Sequence, residues 1–122
     1  MCLVMPAALL IAACANIPKV TASALEAAQC MADFVKARPG VEDVVSRIDN
    51  EPGVGEHATV AYSFRDHAGY IRRDVVPIFL DPARGLYGFP LTVISAEGPL
   101  APATSDLEKK CPIFGYLILG GI

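Results

Sequence analysis

The chain has 122 residues, of which 53% are hydrophobic, and a formal net charge of −3 at pH 7. A chain of this length is expected to form one domain. A nucleic-acid binder needs a surplus of Lys and Arg to neutralise phosphates, so the acidic balance argues against nucleic acid as a partner. Much of the hydrophobic excess lies at the start, where no side chain from Cys2 to Pro18 carries a charge.

The first element is the apolar run LVMPAALLIAACA at residues 3–15. It is shorter than the roughly 20 residues of a transmembrane helix but fits the apolar region of a secretory signal peptide, about 7–15 residues long. Within it, Leu10-Ile11-Ala12-Ala13-Cys14 resembles the lipobox of bacterial lipoprotein precursors, an aliphatic residue and two small residues before a cysteine. The resemblance covers residues 1–15. It implies that residues 1–13 are a signal peptide and that Cys14 carries the lipid.

A lipid anchor of this kind would hold the protein on a membrane of the cell envelope. Each buried acyl CH₂ adds about 0.8 kcal/mol of membrane affinity, so two or three chains anchor stably. Ala15 stands where Asp would resemble an inner-membrane retention signal, which favours the outer membrane. Two alternatives stay open. Cleavage after Ala24, at the A-x-A-like residues 22–24, would release a periplasmic or secreted protein, and residues 3–15 could instead form a buried helix.

Four cysteines are present in the chain. If Cys2 leaves with the signal peptide and Cys14 takes the lipid, Cys30 and Cys111 remain as one pair in an oxidising compartment. We predict a disulfide between them, which would close a loop of about 80 residues and add roughly 4 kcal/mol in the chain-entropy model. Two buried free thiols are the alternative. A zinc site lacks further Cys or His ligands at the usual spacing.

A helix is predicted at the start of a single domain, residues 23–122, which follows a lipidated cysteine and linker at residues 14–22. Ser23-Ala24-Leu25-Glu26 matches a capping box. Polar and apolar residues then recur at steps of three and four, and the helix is expected to end near Arg38, before Pro39-Gly40. The expected core face contains Ala24, Ala28, Met31 and Val35.

Four strands separated by turn and loop residues are predicted next, at residues 44–49, 57–65, 70–80 and 86–95. Val60, Tyr62 and Phe64 alternate with Thr59, Ala61 and Ser63, which assigns the first set to one face of the second strand. Asp66–Gly69 and Asp81–Gly85 predict turns in which glycine takes a positive φ. Pro77 and Pro90 each remove a ladder donor, so each needs a bulge or an unpaired edge.

The end of the chain predicts a second, shorter helix. Ser105-Asp106-Leu107-Glu108 matches another capping box, opening one or two turns that end at Cys111-Pro112. The apolar tail, residues 113–122, is expected to form a fifth strand or a packed end. The predicted fold class is therefore α+β: one N-terminal helix on an antiparallel meander of four to five strands, with a short C-terminal helix.

No motif predicts catalysis, a metal site or a cofactor. The G-x-S-x-G elbow and the P-loop are both absent from the sequence. His57 and His67 are expected to be exposed and separated by the length of a strand, too far apart to share a metal. The sequence therefore favours a protein that is not an enzyme.

Basic residues of the predicted hairpins are the candidates for binding a partner: Arg65, His67, Arg72, Arg73 and Arg84. Such residues can meet lipid phosphate, a glycan carboxylate or an acidic protein, although the sequence favours ordinary solvated strand faces over such a site. Asp66 and Asp74 are expected to neutralise part of this charge. The predicted function is a non-catalytic envelope lipoprotein that binds an envelope protein or peptidoglycan. The alternatives are an unanchored periplasmic inhibitor or ligand-binding module and, last, a small hydrolase.

Overall fold

The structure is a computed structural model that describes residues 23–52 and 55–114. In chain order its elements are α1 (Ala24–Lys36), β1 (Glu42–Glu51), β2 (Gly55–Arg65), β3 (Ile71–Asp81), β4 (Leu86–Gly88) and α2 (Thr104–Lys110). The strands form one antiparallel sheet in the order β1-β2-β3-β4. The predicted α+β class and meander are confirmed. The predicted signal peptide and the lipidation site, Cys14, lie outside the described residues.

Helix α1 begins at the predicted capping box. The Glu26 N–H donates to Ser23 Oγ at 3.2 Å, and the Ser23 N–H donates to Glu26 Oε1 at 2.8 Å. Its buried residues are Ala24, Ala27, Ala28, Met31, Ala32 and Val35. Because most of these side chains are alanines, the helix can pack closely on β1 and β2, its principal contacts.

Helix α1 covers one face of the sheet, and no element within residues 23–52 and 55–114 covers the other. Val60, Tyr62 and Phe64 of β2 are buried in the core beneath α1, as their alternation predicts. Opposed residues of antiparallel strands share a face, and the register joins Val45 to Ala61 and Ala61 to Val75. We call this second face the outer sheet face, defined by Val45, Ala61, Ile71, Arg73 and Val75.

Strand β4 is much shorter than the sequence predicts. The strand expected at residues 86–95 is wrong beyond Gly88: only an isolated bridge residue, Pro90, follows before a 3₁₀ turn at Leu91–Val93. Pro90 precedes this turn and cannot donate a ladder bond. Pro77 stays in regular register with Thr59, and β4 pairs only with Phe79–Asp81. The edge of β3 away from β2 therefore has no strand partner at Pro77 among the described residues.

The second predicted capping box is wrong. Helix α2 begins at Thr104, and its N-cap is Ala103, which makes no side-chain cap bond. A 3₁₀ turn at Ala101–Ala103 leads directly into the helix, so Ser105 already lies within it. Leu100 and Leu107 on either side of this turn are both fully buried, so the segment packs into the core.

The C-terminal part of the described chain is joined to the core by covalent and backbone bonds. A disulfide joins Cys30 to Cys111, the predicted pairing, and links α1 to the residue after α2. The Tyr87 N–H donates to the Ile113 carbonyl at 2.8 Å, and Phe114 is fully buried. Residues 115–122, where a fifth strand was expected, lie outside the described residues.

Candidate functional site

The turn between β2 and β3 is organised by the carboxylate of Asp66. The backbone N–H groups of Ala68 and Tyr70 each donate to Asp66 Oδ1 at 2.9 Å. The Gly69 N–H donates to the Asp66 carbonyl at 2.9 Å, and Gly69 takes the predicted positive φ of 89°. Because one side chain satisfies two turn donors, the hairpin end has a defined shape.

Arg72 supports this turn. Its Nε donates to Asp66 Oδ2 at 2.8 Å. The Arg72 guanidinium, together with the N–H groups of Tyr70 and Ala68, lowers the pKa of Asp66 below its ordinary value. The carboxylate therefore stays charged at neutral pH and offsets the charge of Arg72, as the sequence predicts for Asp66.

The side chains of Arg65 and Arg73 lie at the hairpin end of the sheet. Arg65 Nη1 donates to the Gly69 carbonyl at 2.7 Å, while Arg73 Nη1 donates to Ser63 Oγ at 2.8 Å and to the Asp43 carbonyl at 3.1 Å. Both side chains remain exposed. A guanidinium has five N–H donors, so these bonds orient the two arginines and leave donors for a partner.

The second acidic residue expected near the hairpin has a different role. Asp74 is only 6% exposed, and its Oδ2 accepts from the Tyr62 hydroxyl at 2.9 Å and from the Ser95 N–H at 3.1 Å. Burial first, and the charge of Asp74 second, raise the pKa of Tyr62. The Tyr62 hydroxyl therefore remains a proton donor. The expectation that Asp74 neutralises the hairpin arginines is wrong, because its buried carboxylate instead accepts hydrogen bonds from Tyr62 and Ser95.

The loop after β4 packs against the hairpin. Glu97 Oε1 accepts from the His67 N–H at 2.7 Å, and His67 Nδ1 lies 3.7 Å from the same oxygen. A Cβ added at Gly98 would lie 3.0 Å from Phe64 Cζ and 3.1 Å from Asp74 Oδ2, which explains glycine at this close approach. Glu97 was not predicted as part of the site, since a contact across 30 residues leaves no local signal.

The predicted basic set does not form one site. Arg84 lies in the turn after β3, 3.5 Å from the Asp81 carboxylate, and the 11 residues of β3 span roughly 35 Å at about 3.3 Å per residue. Arg72 and Arg73 are adjacent in a strand and so face opposite sides of the sheet. The structure brings Arg65 and Arg73 together on the outer sheet face and separates Arg84 from them.

Apolar side chains accompany the arginines on the outer sheet face. Val45, Ile71 and Val75 are 53%, 64% and 54% exposed, and Tyr70 at the turn is also exposed. These residues were not predicted from the sequence as a group. The available signal was the alternation of Ile71, Arg73 and Val75 along one side of β3, but alternation alone does not show which side is covered.

A cleft of about 360 Å³ opens beside this face, between the end of α1 and the loop after β4. Among its lining residues are Gly40, Glu42, Ser63, Arg65, Ile71 and Glu97. The Ser63 hydroxyl accepts from Arg73, and no histidine lines the cleft in the described part of the chain. The cleft offers hydrogen-bonding groups of both charges to a small ligand.

His57 is not exposed as expected. Its side chain is 13% exposed and lies 3.9 Å from the Asp49 carboxylate, and its ring stacks on Phe79 with centroids 5.5 Å apart. The predicted separation from His67 holds, because the two residues lie at opposite ends of β2. Within residues 23–52 and 55–114, no group of three His, Cys, Asp or Glu side chains could hold a metal ion.

In the part of the chain that the structure describes, no helix has the length and apolarity needed to cross a membrane. No protein-family model matches the chain, and no similar protein is found among the curated proteins or the solved structures.

Proposed function

We propose that this chain is a non-catalytic binding module of the bacterial cell envelope, anchored by lipid on Cys14, that contacts an envelope protein through its outer sheet face. The observation that carries the proposal is the exposure of Val45, Ile71 and Val75 on one face of the sheet. Apolar patches rimmed by polar groups are typical of protein-interaction sites. Arg is among the residues enriched at such interfaces, and Arg65 and Arg73 lie beside this patch.

The chemistry of the patch favours a protein over a glycan strand. The row formed by Val45, Ala61 and Val75 is aliphatic and crosses three strands. Burying apolar area is worth about 25 cal/mol per Å², and this gain requires a partner that also presents apolar side chains. Peptidoglycan sugars are polar and would offer this row few apolar groups to pack against. The arginines at its end would then orient an acidic group of the same partner.

A lipid anchor is compatible with this geometry. The linker at residues 14–22 cannot exceed roughly 30 Å at about 3.3–3.6 Å per residue. A domain held this close to a membrane would meet partners that are themselves at the membrane surface.

The anchor is tested by Cys14→Ser. We expect the variant to accumulate as an unprocessed precursor and to lose palmitate labelling, because a hydroxyl cannot form the thioether that lipidation requires. Metabolic palmitate labelling and membrane fractionation measure both effects, and Cys2→Ser is the matched control that should behave as wild type. Equal labelling of Cys14→Ser and wild type would contradict lipidation at Cys14, and a wild type that takes up no palmitate would favour an unanchored periplasmic protein.

The binding face is tested by photo-crosslinking in intact cells. A photoreactive amino acid at Ile71 or Val75 should form adducts with one and the same partner. The matched control is Leu25, which is 48% exposed on α1 and faces away from the outer sheet face. In co-purification, Ile71→Glu should reduce recovery of that partner by about tenfold, as loss of a central contact does.

The Ile71→Glu substitution should leave folding nearly unaffected, since surface substitutions usually change the free energy of unfolding by no more than about 0.5 kcal/mol. Adducts that form equally from Leu25, or none from the outer sheet face, would contradict the proposed surface. In that case the cleft lined by Glu42, Ser63, Arg65 and Glu97 becomes the candidate, and the protein a ligand-binding module.

A further inference from the structure

Strand β1 forms an open edge of the sheet. It is ten residues long (Glu42–Glu51), and no strand within residues 23–52 and 55–114 pairs with the edge away from β2. An edge strand of this length presents a row of backbone N–H and C=O groups that can accept another strand. Most of its side chains are also exposed, including those of Ser46, Arg47 and Asn50.

The charges on this edge are self-complementary in one register. Arg47 and Asp49 alternate on the outer sheet face, and within the chain Arg47 Nε donates to both Asp49 oxygens at 3.1 and 3.2 Å. If two copies of β1 pair antiparallel about a twofold axis at Ile48, Arg47 of each copy lies opposite Asp49 of the other. Ser46 then lies opposite Asn50, and Ile48 opposite its own copy.

The neighbouring registers that keep the same face are unfavourable. An axis at Arg47 places two arginines opposite one another, and an axis at Asp49 places two aspartates opposite one another. Directly opposed like charges destabilise a strand pair, whereas opposite charges stabilise it. An axis at Asp49 also places Arg47 opposite Glu51 of the other copy, so of these three registers only the one centred on Ile48 has opposite-charge pairs without a like-charge pair.

The start of β1 limits the length of this pairing. The register of β1 against β2 shifts between Glu42 and Val45, and Asp43 has a φ of 51°, in the left-handed region. A bulge bends the strand and interrupts a regular ladder. The residues available for a second strand are thus those after the bulge, with Ser46 to Asn50 at the centre.

We propose that β1 is a self-association edge: a second copy of this chain adds to it antiparallel, with Arg47 opposite Asp49 of the second copy. Four alternating charges then line the junction, and the two four-stranded sheets join into one with both α1 helices on the same side. This contact uses the edge of the sheet and leaves Ile71 on the outer sheet face open. Val45 of the outer sheet face lies on β1 beside this junction, so the two surfaces adjoin, but the pairing itself does not rest on the proposed partner site.

The experiment is a charge-reversal mixing test by analytical ultracentrifugation of the purified full chain over a concentration series. Wild type should show a concentration-dependent dimer. Arg47→Asp and Asp49→Arg should each raise the dimer dissociation constant by about tenfold, because both cross-strand pairs become like-charged. An equimolar mixture of the two variants should form a heterodimer with affinity near wild type, since every cross-strand pair is again opposite in charge.

The mixture distinguishes pairing of the two charges between copies from their pairing within one chain. Neither variant regains its own Arg47–Asp49 bond on mixing. If these residues only stabilised the single chain, mixing would therefore not restore the dimer. Urea unfolding of each variant alone checks that it is folded. A second pair, Ser46→Cys mixed with Asn50→Cys, should give a heterodimeric disulfide in this register that neither variant forms alone.

A wild-type chain that stays monomeric throughout the series would overturn the proposal. A dimer that neither charge reversal weakens, or two weakened variants that fail to associate on mixing, would overturn it as well. Failure of the cysteine pair to crosslink while the charge mixture still associates would overturn the register centred on Ile48.

Discussion

Replacing Cys30 and Cys111 together by alanine is expected to lower the free energy of unfolding by about 4 kcal/mol. The bond closes a loop across a sequence separation of 81 residues. Without it the unfolded chain regains the conformations that this closure forbids, so the unfolded state gains entropy. Urea denaturation of wild type and variant, without reductant, measures the difference. Alanine is chosen because Cys111 is 1% exposed, and a serine hydroxyl would be buried there without an assured partner.

Reduction of the wild type supplies the control for this prediction. A reductant should bring wild type close to the stability of the double variant and should leave the variant itself unchanged. If the double variant lost less than about 1 kcal/mol, well below the usual cost of removing a native disulfide, the bond would not be a principal source of stability.

Asp74→Ala should lower the free energy of unfolding by about 3 kcal/mol, since each buried donor left without a partner costs roughly 1–3 kcal/mol. The variant leaves two donors without their acceptor, the Tyr62 hydroxyl and the Ser95 N–H, which both bond to Asp74 Oδ2. It also opens space beneath Gly98, which packs against this carboxylate. Urea denaturation gives the magnitude, and hydrogen exchange at the Ser95 amide should accelerate.

Two variants of the same strand sharpen this test. Asp74→Asn keeps an oxygen that can occupy the Oδ2 position, so it should cost only about 1 kcal/mol, the difference between a charged and a neutral acceptor. Asp81→Ala removes an aspartate at the far end of β3 that is less buried than Asp74, and it should cost less than Asp74→Ala. Equal losses for Asp74→Asn and Asp74→Ala would show that the two hydrogen bonds are not the source of the effect.

The candidate site shows how far residue type alone can identify a binding surface. The sequence places Arg65, Arg72 and Arg73 near one hairpin, and the structure agrees on that position. The sequence could not show that the three arginines differ in role. Arg72 bonds to Asp66 and supports the turn, whereas Arg65 and Arg73 lie on the outer sheet face. That distinction decides which substitutions test binding. Reversing the charge of Arg72 would disturb the hairpin, whereas changing Ile71 alters the exposed face directly.

The sequence by itself determined the elements whose stabilising contacts are local or periodic. The Ser23–Glu26 capping box spans three residues, the glycines at 69 and 85 take positive φ within their own turns, and the two faces of β2 follow from a period of two. Each of these features depends on bonds or alternation within a few residues, so the order of residues is sufficient to predict it.

Only the tertiary structure decided the features that depend on distant segments. Asp74 is a core acceptor because Tyr62, 12 residues away, and Ser95, 21 residues away, meet it. The exposed aliphatic row exists because α1 covers one face of the sheet and no described element covers the other, while alternation treats both faces alike. The segments after β4 and before α2 pack Phe89, Leu100 and Leu107 fully into the core, and tertiary contacts of this kind can override the local preferences on which the predicted bounds of β4 and α2 were based.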